Sequence, residues 1–344
     1  MSKHHPLWEM ILCRFREFAR EPEVIFWVFG FPILLAIGLG IAFRDRPPER
    51  VFVAVMAHPE AQSILDQLKK VSNIQSEIVD PQQAATSLRL GKVALVVVPG
   101  NSYEYRYDPT RPDSLLARSM VDAALQKAAG RQDPVRTRER IITEPGARYI
   151  DFLIPGLLGM NLMGGGMWGI GFVIVDMRIK KLLKRMIATS MHKSDFMLAM
   201  IVSRLAFMVA EVILLLLFGF FAFGMIIQGS IASIIAVAFF GSMCFTGMGL
   251  LVASRAQKIE TVSGLMNLVM LPMYVVSGVF FSAERFPKVF QPFIQALPLT
   301  ALNDALRAVI LEGANLASQS PKLAIIAAWG VISFLLALRW FRWN

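Results

Sequence analysis

The sequence predicts a polytopic α-helical membrane protein. Six transmembrane helices carry an inserted extracytoplasmic α/β domain between the first two, and short re-entrant helices precede the last. Three observations predict this. The 344 residues are 55% hydrophobic and only 17% charged, with mean hydropathy +0.54, whereas soluble domains carry about 25% charge. Apolar runs near the ~20 residues needed to cross a bilayer recur along the chain. Between two of them lies a stretch, Asp176 to Asp195, holding Arg178, Lys180, Lys181, Lys184, Arg185 and Lys193. Hydrocarbon excludes so many cations, and short Lys/Arg-rich loops stay cytoplasmic. That stretch fixes the orientation of the rest.

Residues 1–23 read as an amphipathic interfacial helix. Trp8, Ile11, Leu12, Phe15 and Phe18 share one face, and Glu9, Arg14, Arg16, Glu17 and Arg20 cover the other. Such a helix lies flat at the inner leaflet. Residues 24–43 are the first span, uncleaved because the charged stretch before it is too long and too acidic for a signal peptide. Pro32 kinks it.

Residues 44–147 change character. Val51 to Met56 and Val93 to Val98 are short valine-rich runs suited to buried strands, and Tyr103, Tyr105 and Tyr107 alternate as in a half-exposed strand. Between them, Ala61, Ile64, Leu65, Leu68 and Val71 form one helical stripe. Leu116, Met120, Ala123 and Ala124 form another. Pro81 and Pro112 suit first helical turns. The order β-α-β-α-β-β-α-β predicts a small α/β domain with a mixed sheet, large enough for its own core. Its arginines do not oppose an outside location, since long domains cross regardless of charge.

Residues 148–344 form the transmembrane domain, with spans near 149–175, 196–224, 231–254, 261–281 and 323–338. The second span carries a glycine cluster, Gly164 to Gly166, which allows close helix approach. Residues 282–321 are apolar at helical spacing through Phe286, Val289, Phe290, Phe293, Ile294 and Leu297, but Pro287, Pro292 and Pro298 interrupt them. Re-entrant helices fit this pattern, because irregular backbone at membrane depth is tolerated when buried in protein. With both termini cytoplasmic, every short loop obeys the charge rule.

Composition excludes other classes. The net charge of +10 comes from the inside loops and the basic middle domain, so nucleic acid is not an expected partner. Cys13 and Cys244 form no CxxC pair, and the four histidines have no ligand spacing. Neither a disulfide nor a metal site is expected. Glu211 lies mid-span in the third run, where a charge costs about 2.5–3.5 kcal/mol on insertion scales. It therefore faces protein, pairs, or is protonated. A pathway role and a structural polar contact both remain open for Glu211, Asn161 and Asn267. The basic stretch has two readings as well: a solvated loop, or a cationic helix on which a cytoplasmic partner docks. Ile179, Leu182, Leu183, Met186 and Ile187 give it helical periodicity.

Three stretches resemble the type-2 ATP-binding-cassette (ABC) permease family, its exporter branch with an extracytoplasmic domain between the first two spans. They are Asp151-FLIPGLLGMN-Leu162, then Arg178-IKKLLKRMIATS-Met191, and Leu271-PMYVVSGVFF-Ser282 with Phe286-Pro287 and Leu297-PLTALNDALR-Ala308. Ser190 stands where the family pattern has proline. The resemblance implies a permease subunit rather than an enzyme. It implies pairing with a second permease copy or paralogue in the bilayer, and cytoplasmic ABC ATPase subunits beneath. The chain has no Walker A lysine, so ATP-Mg belongs to the partner and this chain binds no cofactor. By the same resemblance the basic loop is a coupling helix, with Arg178, Lys181, Lys184, Arg185 and Thr189 at the ATPase contact. Asn161, Glu211, Asn267 and Pro272 fall along the translocation pathway. The expected setting is a bacterial inner membrane, and the expected cargo is amphiphilic, drug-like or lipid-like and exported. The alternatives are an ion-coupled secondary transporter using Glu211 and a ligand-sensing receptor working through the outer domain. An intramembrane enzyme lacks any Ser/His or paired-Asp arrangement within the spans.

Overall fold

A computed structural model describes residues 6–43, 50–100, 102–132, 146, 148–182, 185 and 193–340. It divides into two compact units, one of residues 1–44 and 143–344, the other Asp45–Ile142.

The first unit is helical. Helix α1 (Pro6–Arg20) precedes α2 (Pro22–Ala42). The other long helices are α6 (Tyr149–Ile179), α7 (Lys193–Phe223), α8 (Ile231–Ala253), α9 (Ile259–Val276) and α12 (Ser320–Trp340). Six of these, α2, α6, α7, α8, α9 and α12, are long and apolar enough to cross a membrane. Between α9 and α12 lie the short α10 (Gln291–Gln295) and α11 (Pro298–Glu312). Helix α11 begins with proline in its first turn and stops at Gly313, whose φ of 66° is left-handed, the usual punctuation of a helix.

Burial separates these helices. The spans of α6 and α8 are 61% and 67% buried within the chain, whereas those of α2, α9 and α12 are 17%, 22% and 17%. Helix α6 is thus a hub, and its glycine cluster shows how. Gly164 faces the Tyr274 hydroxyl of α9, and Gly165 faces the Arg204 guanidinium of α7. A Cβ on Gly166 would meet Phe245 Cβ of α8 at 2.7 Å. Three successive small residues on a helix, about 100° apart, admit three different neighbours. Two π-helical turns, Phe26–Gly30 in α2 and Met167–Phe172 in α6, interrupt the regular ladder. The apolar face of α1 lies partly against protein: Phe15 and Phe18 pack on Phe207 of α7, ring centroids 4.9 and 4.3 Å apart. Trp8 is exposed.

The second unit is a four-stranded sheet, β1 (Val51–Met56), β2 (Ile74–Val79), β3 (Leu95–Val98) and β4 (Glu104–Arg106), in the order β2-β1-β3-β4. The first three are parallel and β4 is an antiparallel edge. Helices α3 (Ala61–Leu68) and α5 (Pro112–Ala128) cover one face. Among the described residues, α4 (Pro81–Arg89) covers the other, where Ala54, Val79, Ala84, Val93 and Val96 form a small core. Asp80 caps α4 by accepting from the Gln83 N–H at 2.7 Å, as an N-cap aspartate does.

Two expectations need correction. The face that α5 buries is Ser114, Ala117, Val121 and Leu125; Leu116 and Ala123 lie outside. The stripes are one residue out of phase, and the one with alanine at its centre permits the closer approach to the sheet. The fifth span ends at Val276 rather than Phe281, because Ser277 leaves the helix and Gly278 turns at φ 72°. The final strand expected after α5 lies outside the described residues.

Candidate functional site

Three helix C-termini in the membrane unit each receive an arginine. The last carbonyls of a helix lack intrahelical donors, carry partial negative charge, and are costly to leave bare in hydrocarbon. At the end of α7, Arg148 donates from Nη1 to the Phe223 carbonyl at 2.9 Å and from Nη2 to Gly224 at 3.3 Å. Asp151 holds that guanidinium from behind, with two contacts at 2.9 Å, and it also accepts the Gly146 N–H at 3.0 Å. Asp151 is fully buried, so its charge needs this pairing.

At the end of α9, Arg307 of α11 donates to the Gly278 carbonyl and to the Phe152 carbonyl of α6, the latter at 3.3 Å. Its guanidinium lies 3.7 Å over the Phe152 ring, a cation–π arrangement. Asn303 Nδ2 donates to the Ser277 carbonyl at 2.8 Å, and the Tyr149 hydroxyl to Phe280 at 2.9 Å. Two glycines of α6 make room for this. A Cβ on Gly156 would strike the Val279 carbonyl and Arg307, and one on Gly159 would strike Asn303 Oδ1. The first and third sequence motifs are therefore two halves of one joint, in which α11 clasps the start of α6 to the end of α9.

The third arginine is Arg178, at the opposite end of α6. It donates to the carbonyls of Ala253 at 3.0 Å, Ser254 at 3.4 Å and Ala256, closing the end of α8. Of the residues expected at a partner contact, Arg178 is thus turned toward its own chain. Lys181 and Arg185 are exposed. Lys181 takes a left-handed φ of 57°, strained for a residue with a Cβ, where the chain turns away from α6. Lys184 and Thr189 lie outside the described residues.

The four expected pathway residues do not gather. Asn161 Nδ2 donates to the Val28 carbonyl of α2 at 2.9 Å. Pro32, four residues on, has no N–H to give that carbonyl, so Asn161 supplies the missing donor across helices. Glu211 is buried and paired with Arg204 of the same helix, Oε1 to Nη1 at 2.6 Å and Oε2 to Nη2 at 3.1 Å. Arg204 Nη2 also reaches the Leu162 carbonyl at 3.5 Å. Sequence reasoning found the acid and missed its base, although a spacing of seven places both on one helical face. Asn267 and Pro272 lie instead on the exposed side of α9.

A family model described as "ABC-2 family transporter protein" matches residues 22–339. The chain belongs to the ABC-2 transporter family. It is also 26% identical over 224 residues to "ABC transporter G family member 20" of Dictyostelium discoideum. That match covers 64% of this chain and 30% of the relative, so the chain spans under a third of the relative's length. With its six long apolar helices, the chain is a multi-pass membrane protein of that family.

Proposed function

We propose that this ABC-2 protein is the permease of an exporter driven by separate cytoplasmic ATPase subunits. It carries amphiphilic, drug-like or lipid-like molecules out of the cytoplasm or inner leaflet of a bacterial inner membrane. Both termini lie inside, and the α/β unit lies outside. A second copy or paralogue completes the pathway across the exposed faces of α2 and α9, where Asn267 and Pro272 sit.

The observation that carries this reading is the wiring of α6. One end is fastened to α7, α9 and α11. The other meets the basic loop, where Lys181 and Arg185 are exposed. ATP-driven closure of the partner against this loop, with Lys184 and Thr189 in the contact, tilts α6 as a rigid lever, and Arg178 transfers the movement to α8. The pairing of Glu211 with Arg204 weighs against an ion-coupled mechanism through that carboxylate, since a proton site must be able to lose its counter-charge.

Reversal of charge in Lys184→Glu/Arg185→Glu should leave expression and ATPase assembly intact while separating ATP hydrolysis from transport in proteoliposomes. Full coupled transport by that variant removes the two residues from the contact. Transport persisting without any ATPase subunit overturns the whole reading.

A further inference from the structure

The α/β unit has a second, unassigned feature. Among the described residues, the sheet face opposite α3 and α5 is covered by the nine-residue α4 alone, which packs on β1 and β3. Over the edge strand β4 it leaves a cleft of about 460 Å³, within the size range of small-molecule sites. Its floor is apolar: Met56 of β1, Val96 of β3, and Ala84, Ala85 and Leu88 of α4. Its rim is cationic, with Arg89 at the end of α4, Arg106 on β4 and Arg111 before α5.

The register explains why these meet. In this sheet Ala54 pairs with Val96, and Val96 with Arg106, so all three sit on the α4 face. The neighbouring acids leave cationic capacity unused. Glu104 engages Arg106 through Nε alone, at 2.8 Å, out of the five N–H groups of a guanidinium. Asp113 takes Nε and Nη2 of Arg111, while Nη1 lies against the turn at Gly91, 3.1 Å from where a Cβ would be. Asp108, the one acid lining the cleft among the described residues, is held by the Thr110 N–H and hydroxyl at 2.9 and 2.7 Å.

We infer that this cleft binds an anionic amphiphile, its acidic head against Arg89, Arg106 and Arg111 and a short alkyl body on the Met56–Leu88–Val96 floor. A charge-assisted contact to guanidinium is the stronger kind of hydrogen bond, and the floor supplies apolar burial. A carboxylate and a phosphate head satisfy the same chemistry. The inference does not depend on which side of the membrane the unit occupies, nor on transport.

The test uses the full-length protein in phosphatidylcholine nanodiscs and an eight-carbon carboxylate bearing a terminal diazirine, with adducts mapped by mass spectrometry. Labelling is expected at Met56 and Leu88. It should fall about tenfold in Arg89→Ala/Arg106→Ala, the equivalent of about 1.4 kcal/mol. It should also fall in Leu88→Glu, which keeps all three arginines. Octanoate and octyl phosphate compete if the site is as described, and whichever competes better names the head group. Equal labelling by the diazirine alcohol, no competition by either acid, or wild-type labelling in both variants overturns the inference.

Discussion

The two ends of α6 are built differently. At the Arg148 end, four donors (Arg148, Tyr149, Asn303 and Arg307) converge on carbonyls at the ends of α7 and α9, and buried Asp151 fixes Arg148 from behind. At the Arg178 end, among the described residues, one guanidinium closes the end of α8, Arg14 of α1 reaches the Gly169 carbonyl at 3.5 Å, and Lys181 takes a strained left-handed φ. A helix of 31 residues, about 46 Å long, thus carries more polar fastenings at its first end than at its second among the described residues. The proposed lever needs this asymmetry: a firmer end that defines the pivot and another that accepts the push.

The comparison can be broken or sharpened by substitution. The largest effect should come from the middle of the bundle, which serves both ends. Glu211→Ala leaves Arg204 buried without its partner and should cost about 3–5 kcal/mol, whereas Arg204→Met/Glu211→Leu should recover most of it. Thermal unfolding in detergent measures both. A double variant no better than the single one would mean that the pair does more than neutralise itself.

Next come the two ends. Arg307→Met removes charged hydrogen bonds to two carbonyls and should destabilise by about 2–3 kcal/mol. Arg178→Met uncaps the carbonyls at the end of α8 and should, beyond its stability cost, lower the transport obtained per ATP hydrolysed. If the two variants lose equal stability and keep equal coupling, the ends are equivalent and the lever fails. A smaller effect belongs to Asn161→Leu, about 0.6–1.7 kcal/mol as for other interhelical hydrogen bonds, read in the same unfolding assay.

The smallest lies in the α/β unit and serves as a control. Arg111 holds the Asp113 carboxylate below its ordinary pKa, and hydrogen bonds from Thr110 do the same for Asp108. Depressed carboxylates stabilise the fold above their unfolded pKa and lose that contribution as pH falls through the folded one. The unit should therefore weaken modestly as pH drops below the ordinary carboxylate value, and Asp113→Asn should flatten the dependence. An unchanged pH profile in that variant would show the Arg111–Asp113 pair to be energetically silent.

Much of this architecture was legible. Spans announce themselves because about 20 consecutive apolar residues have few other uses, whereas Pro298, read as an interruption, is the first turn of α11. Strands β1 and β3 were legible as valine-rich runs and β4 as alternating tyrosines, whereas β2, reading IQSEIV, has no such run. Phase was harder. In α5, Leu115 and Leu116 are apolar yet exposed, and only the sheet decides that Ala117 and Val121 turn inward. Partnership was harder still. Glu211 drew notice as a lone acid, although its spacing of seven from Arg204 put the base on the same helical face; the room that Gly165 leaves for that guanidinium was not legible. The carbonyls that Arg148, Arg178 and Arg307 satisfy carry no side-chain signal at all. Helix ends brought together from distant parts of the chain cannot be read from spacing.

The contact between Asn161 and Val28 has an unusual permanence. Most interhelical hydrogen bonds compete with a backbone partner that can return, but Pro32 has no amide hydrogen, so the Val28 carbonyl has no such partner to revert to. Any sliding of α2 along α6 strands that oxygen in the bilayer. The first two spans are thereby yoked, and Pro32 and Asn161 should show strong epistasis: each makes sense only while the other is present.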